Sequence, residues 1–166
     1  MNVLFLCTGN SCRSILAEAI FNHLAPAGWH AMSAGSQPTG HVHPRPLALL
    51  AREGISVRGC HSKSWDNLPA TPDIVITVCA SAAGESCPAY LGSVMRAHWG
   101  VADPAMASGT DAEIEAAFES AYRILRDGIE RLFALPLDEL TKDRARLRSA
   151  LDQIGRQLPL VNPGSP

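Results

Sequence analysis

The chain has 166 residues, 46% hydrophobic and 18% charged, with a formal net charge of -2 at pH 7. That length suits one domain with a real hydrophobic core, and the near-neutral charge excludes the broad basic field of a nucleic-acid or anionic-membrane binder. Any anion site must therefore be local, built from a few side chains and the backbone.

In chain order, residues 1–7 are apolar but short, with no basic n-region and no small-residue cleavage site. They read as a buried strand over Asn2–Leu6 rather than a leader. No apolar run reaches the length of a membrane span, so a cytoplasmic location is expected. Five cysteines (Cys7, Cys12, Cys60, Cys79 and Cys87) in such a compartment argue for reactive thiols or a metal rather than structural disulfides.

Residues 7–14 form a polar, Gly-containing loop. Residues 15–24 carry Ile15, Ala19, Ile20 and Leu24 at helical spacing, and Pro26 and Gly28 close that helix. A second strand is predicted over 29–33, a Gly/Pro loop over 34–43, and a helix over Pro44–Arg52 ended by Gly54. A short strand is read over 57–61 and the central strand over 74–78. Residues 80–92 form a small-residue loop, 94–99 a further strand, and 100–108 a loop holding Asp103-Pro104.

Thr110 and Glu113 make a capping box that opens a helix with the apolar face Ile114, Phe118, Ala121, Leu125, Ile129 and Leu132. Leu140, Leu147, Leu151, Ile154 and Leu158 place an apolar stripe on a C-terminal helical tail, and 159–166 reads as disordered. The division expected is a catalytic domain over 1–135 and a helical extension with a disordered end over 136–166.

Strands alternating with helices define an α/β fold: a single domain with a central parallel sheet flanked by helices, plus the helical tail. Ligands of such sheets bind beyond the carboxyl ends of the strands. Three chemically loaded loops follow strands, at 7–14, 79–87 and around Asp103, and are expected to converge.

Cys7-Thr8-Gly9-Asn10-Ser11-Cys12-Arg13-Ser14 joins a strand to a helix, with five residues between Cys7 and Arg13. A loop of that length curls so that successive N–H groups, with the helix N-terminus, cradle a tetrahedral oxyanion. Gly9 permits and Asn10 tolerates a positive φ. Arg13 offers a planar fork for two oxyanion oxygens. The same field is expected to depress the Cys7 pKa below the ~8.5 of a free thiol, with Ser14 donating to the sulfur. Cys7 is then a nucleophile aligned with the bound oxyanion. Thr8, Gly9, Asn10, Ser11, Cys12 and Arg13 are the oxyanion-binding residues; Cys12 itself is expected to pack. Cys60, His61, His41 and His43 match no compact zinc spacing, and no metal site is expected.

This loop resembles the signature of low-molecular-weight tyrosine phosphatases and their arsenate-reductase relatives. Asp103-Pro104 fits the same family, whose general acid is an aspartate before a proline late in the chain. The resemblance implies that family's fold. Some relatives bind a monovalent cation through residues matching Asn10, Glu18, Ser33 and Asp66; here Asn10 is expected to hold the loop's shape through side-chain hydrogen bonds, and surface or capping roles are expected for Glu18, Ser33 and Asp66.

A phosphatase needs one cysteine, one arginine and one acid, and has no use for Cys79 and Cys87. Their segment resembles the redox segment of the arsenate-reductase branch. The resemblance implies an arsenate reductase in which Cys7 attacks arsenic, Asp103 protonates the departing hydroxyl, Cys79 attacks Cys7, and Cys87 draws the disulfide outward. The catalytic residues are then Cys7, Arg13, Ser14, Cys79, Cys87 and Asp103. No tightly bound cofactor is expected. The electron source is an external thiol: thioredoxin, glutaredoxin with glutathione, or another low-molecular-weight thiol. The partners are arsenate, with phosphate or sulfate as analogues, and that reductant; nucleic acid and membrane are not. A low-molecular-weight protein-tyrosine or small-molecule phosphatase is the alternative, and a non-catalytic thiol redox sensor a third. Ala105 and Met106 stand after Asp103-Pro104 where an aryl-phosphate pocket would carry aromatic residues.

Overall fold

A computed structural model of the chain describes residues 1–79, 91 and 93–159. Its strands are β1 (Asn2–Leu6), β2 (His30–Ala34), β3 (Ile74–Thr77) and β4 (Met95–His98). Its helices are α1 (Arg13–Leu24), α2 (Pro44–Arg52), α3 (Asp111–Phe133), α4 (Leu137–Leu140) and α5 (Arg144–Gln157), with a 3-10 turn at Pro104–Met106.

The four strands form one parallel sheet in the order β2-β1-β3-β4. All residues of β3 and Val3–Leu6 of β1 are buried, as central strands covered on both faces require. Chain order runs outward in one direction from β1 to β2 and in the other through β3 to β4. The crevice beyond the carboxyl ends of β1 and β3 is therefore the switch point where this architecture binds ligands. Leu6 lies opposite Thr77, and Val78 N–H donates to Leu6 O at 2.9 Å. Cys7 and Cys79 follow these paired strands and meet through their side chains.

Local chemistry fixes the helix ends. Asp111 opens α3 behind the Thr110 hydroxyl, which accepts from Glu113 N at 3.2 Å. Asp143 caps α5 by accepting from Arg146 N at 3.1 Å. Phe21 stacks edge-on with Phe133 at 4.8 Å and with Phe5 at 5.8 Å, locking α1 to α3 and to the sheet.

Two expectations need correction. Residues 57–61 are not a strand: Cys60 N bonds Val57 O at 3.1 Å around Gly59, whose φ of +83° makes a turn. Among the described residues an isolated bridge, Gly35 with Ser64, lies near this region. The apolar tail is not one helix either. Leu140 sits on α4, whereas Leu147, Leu151 and Ile154 sit on α5 and Leu158 caps it; all are buried against the domain. Residues 160–166, read as disordered, lie outside the described residues. Among the described residues, no helix is long and apolar enough to cross a membrane.

Candidate active site

The loop between β1 and α1 is held from outside by its carbonyls. Thr8 O accepts from Gln37 N, Gly9 O from Thr39 N and Ser11 O from His43 N, each at 3.0 Å. Because N–H and C=O point oppositely across each planar peptide, this turns the loop's N–H groups towards its centre. Asn10 takes the positive φ expected, at +45°.

Asn10 is fully buried and acts as the loop's keystone. Its Nδ2 donates to Ser14 Oγ at 2.8 Å and Ser33 Oγ at 3.0 Å, and its Oδ1 accepts from Lys63 N at 2.8 Å. Ser33 Oγ passes its hydrogen to Glu18 Oε2 at 2.5 Å, and Lys63 Nζ lies 4.0 Å from that same oxygen. Burial pushes the Glu18 carboxyl upward, against the opposing pull of Ser33 and Lys63. Glu18 and Ser33 are thus buried beneath the loop rather than on the surface, with Glu18 facing the ammonium of Lys63, while Asp66 accepts from Ser64 in its own exposed turn. Ser14 Oγ engages Asn10; among the described residues it makes no bond to Cys7.

Arg13 spans the site. Its Nη1 donates to Val101 O at 2.9 Å and its Nη2 lies 3.4 Å from Asp103 Oδ2. Among the described residues its buried Nε–H has no hydrogen-bond partner, which leaves that donor available to an oxyanion. Asp103 Oδ1 accepts from Ala105 N at 2.9 Å, which fixes the carboxylate at the head of the Pro104–Met106 turn. Cys12 is buried, and its thiol is pushed up to about 11, first by burial and then by the charge of Asp103.

Cys7 and Cys79 are 6% and 3% exposed, and Thr8 Oγ1 lies 3.8 Å from Cys79 Sγ. The depressed Cys7 pKa expected from the loop is corrected. A hydrogen bond with the Cys79 thiol, and then burial, push the Cys7 thiol up; the Arg13 charge and the Gly9 N–H pull it down without prevailing. Ionisation of either sulfur therefore opposes ionisation of the other. Cys87 lies outside the described residues.

Sequence reasoning singled out Cys7, Arg13, Cys79 and Asp103, and the fold gathers them at one sheet edge. It missed Lys63, the Val101 carbonyl and Gly35. A lysine in a polar loop reads as a surface residue, a carbonyl has no sequence signal, and Gly35 reads as one turn glycine among many. A Cβ on Gly35 would meet Cys7 O at 2.7 Å and Asn10 Cβ at 3.1 Å, so only glycine fits beneath the loop.

A parallel α/β sheet with a thiol, an arginine and a carboxylate around a backbone cradle defines a cysteine-nucleophile enzyme acting on tetrahedral oxyanions. The chain belongs to the low-molecular-weight phosphotyrosine protein phosphatase family, whose model matches residues 2–146. It is 40% identical over 128 residues to an arsenate reductase of Halalkalibacterium halodurans, covering 76% of this chain and 88% of that protein. Among solved structures it is similar to an arsenate reductase in the phosphate-binding state, at 26% identity and a TM-score of 0.63, covering 80% of this chain and 96% of the other. It is also similar to a thioredoxin-dependent arsenate reductase of Corynebacterium glutamicum, at 28% identity and a TM-score of 0.53, covering 78% and 61%.

Proposed function

We propose that this chain reduces arsenate to arsenite through a relay of Cys7, Cys79 and Cys87. The observation that carries the reading is the second buried thiol, Cys79, in hydrogen-bond contact with the nucleophile. Phosphate-ester hydrolysis leaves that thiol without a task, whereas reduction of arsenic requires it. The arsenate-reductase relatives support the same reading.

Arsenate enters the N–H cradle and takes the Arg13 fork. Cys7 gives its thiol proton to an arsenate oxygen as Sγ bonds to arsenic; one As–O bond breaks, and Asp103 supplies the proton with which the hydroxyl leaves as water. Cys79 Sγ, its proton passing to an oxygen on arsenic, then attacks Cys7 Sγ. The S–As bond breaks with its electron pair going to arsenic, which falls from the +5 to the +3 state and leaves as arsenite. Cys87 attacks Cys79 Sγ, restores the Cys7 thiolate and relocates the disulfide. An external dithiol of the thioredoxin type returns two electrons; glutaredoxin with glutathione, or another small thiol, is the alternative donor. Ser14 holds Asn10 and so the loop, and Thr8 to Arg13 bind the oxyanion.

Non-reducing peptide mapping after arsenate treatment tests this. Without reductant, the wild type should accumulate a Cys79–Cys87 disulfide with Cys7 reduced, and Cys87→Ser should stall with Cys7 and Cys79 joined. Cys79 and Cys87 remaining reduced after arsenite has formed would remove the relay. Hydrolysis of an aryl phosphate with no arsenite formed would establish the phosphatase reading instead.

A further inference from the structure

The C-terminal helix α5 ends far from the oxyanion loop in sequence, yet it grips the segment that carries the acid. Its buried side chains Leu147, Leu151 and Ile154 lie against β4 and α3. Trp99, the residue after β4, is fully buried, and its indole N–H donates to Leu151 O on α5 at 3.0 Å. Gly155 of α5 approaches so closely that a Cβ there would stand 2.9 Å from Trp99 Cδ1 and closer still to His98 O. On the α3 side, a Cβ on Gly128 would stand 3.2 Å from Trp99 Cζ3. Trp99 is thus clamped between two helices at glycines.

From this root the chain runs directly into the site. Trp99 N bonds Thr77 O at 2.8 Å and Val101 N bonds Val78 O at 3.1 Å, extending the β3–β4 pairing up to Cys79. Val101 O then holds Arg13, and two residues later Asp103 faces the same guanidinium at 3.4 Å. Among the described residues β4 is an edge strand, so this extension has strand pairing on one side only. A segment restrained on one side swings about its ladder; the α5 clamp on Trp99 supplies the second restraint.

We propose that α5, acting through Trp99, is a positioning element of the active site that sets Asp103 against the oxyanion. The helix is then part of the catalytic architecture. The inference rests on Asp103 as the acid, which the reductase and phosphatase readings share. The oxyanion loop has its own anchors in Asn10, Ser33 and Lys63, so the nucleophile should be insulated from changes at α5.

Gly155→Ala and Trp99→Phe in the full chain test this, each alone and combined with Asp103→Asn. The readouts are the single-turnover rate of arsenite release, the rate of Cys7 alkylation by iodoacetamide and its protection by inorganic phosphate, all well below each variant's measured Tm. Arsenite release should fall about 10–100-fold, as expected for a displaced acid, while Cys7 alkylation changes by less than about twofold. In the Asp103→Asn background the same substitutions should cost little more, because residues acting as one unit are not additive. A parallel fall in release and alkylation, full additivity with Asp103→Asn, or unchanged release would overturn the proposal. Should Gly155→Ala fail to fold, the milder Trp99→Phe decides by the same criteria. A wild type that releases no arsenite refutes the reductase reading instead, and the comparison then runs on p-nitrophenyl phosphate hydrolysis.

Discussion

Gly35→Ala is the most severe single-atom perturbation the site offers. Gly35 is pinned on both sides: its N–H donates to Lys63 O and its carbonyl accepts from Trp65 N, each at 3.0 Å. It has nowhere to retreat. A Cβ would stand 2.7 Å from Cys7 O and nearer to Thr8 O, whereas a carbon–oxygen contact needs about 3.3 Å. The oxyanion loop must therefore move by about 0.6 Å or more. Overpacking of this kind costs about 1–3 kcal/mol of stability. A displacement approaching 1 Å of the attacking sulfur costs up to about 100-fold in rate. Urea denaturation gives the first number, and arsenate reduction with excess reductant at a temperature where the variant is folded gives the second. An alanine variant with wild-type stability and turnover would refute the idea that Gly35 supports the loop by close approach.

Three further outcomes are expected. Replacing Cys79 with alanine removes the largest influence raising the Cys7 thiol, so the pH midpoint for Cys7 alkylation should move down; an unchanged or higher midpoint would contradict the coupling of the two thiols. Asp103→Asn should slow single-turnover arsenite release by about 10²–10⁴-fold with little loss of phosphate protection at Cys7; an equal loss in both would make Asp103 a binding residue. Burial raises the Glu18 carboxyl, so its contribution to stability is full below the usual value of about 4.3 and declines as pH rises through the folded-state value. The stability of the wild type relative to Glu18→Gln, from urea unfolding between pH 4 and 7.5, should therefore fall as pH rises, and a flat difference would show that Glu18 does not titrate on folding.

The sequence by itself determined what is local. The Cys7–Arg13 spacing, Asn10 in its left-handed conformation, the Thr110 cap and the buried β-branched run of β3 depend on neighbours a few residues away, where steric and hydrogen-bonding preferences act directly. Alternation of strands and helices sufficed for the parallel α/β architecture. The tertiary structure decided everything that depends on which distant segments meet. Residues 57–61 became a turn because Gly59 bends the chain, and the apolar stripe of the tail was divided between two helices. The direction in which the Cys7 thiol shifts reversed, because the order β2-β1-β3-β4 sets Cys79 against it and the loop's stabilising field acts on a pair of thiols. The Lys63 amide, the Val101 carbonyl and Gly35 act through backbone groups or a missing side chain. Such groups are chemically alike in every residue, and only proximity gives them a role.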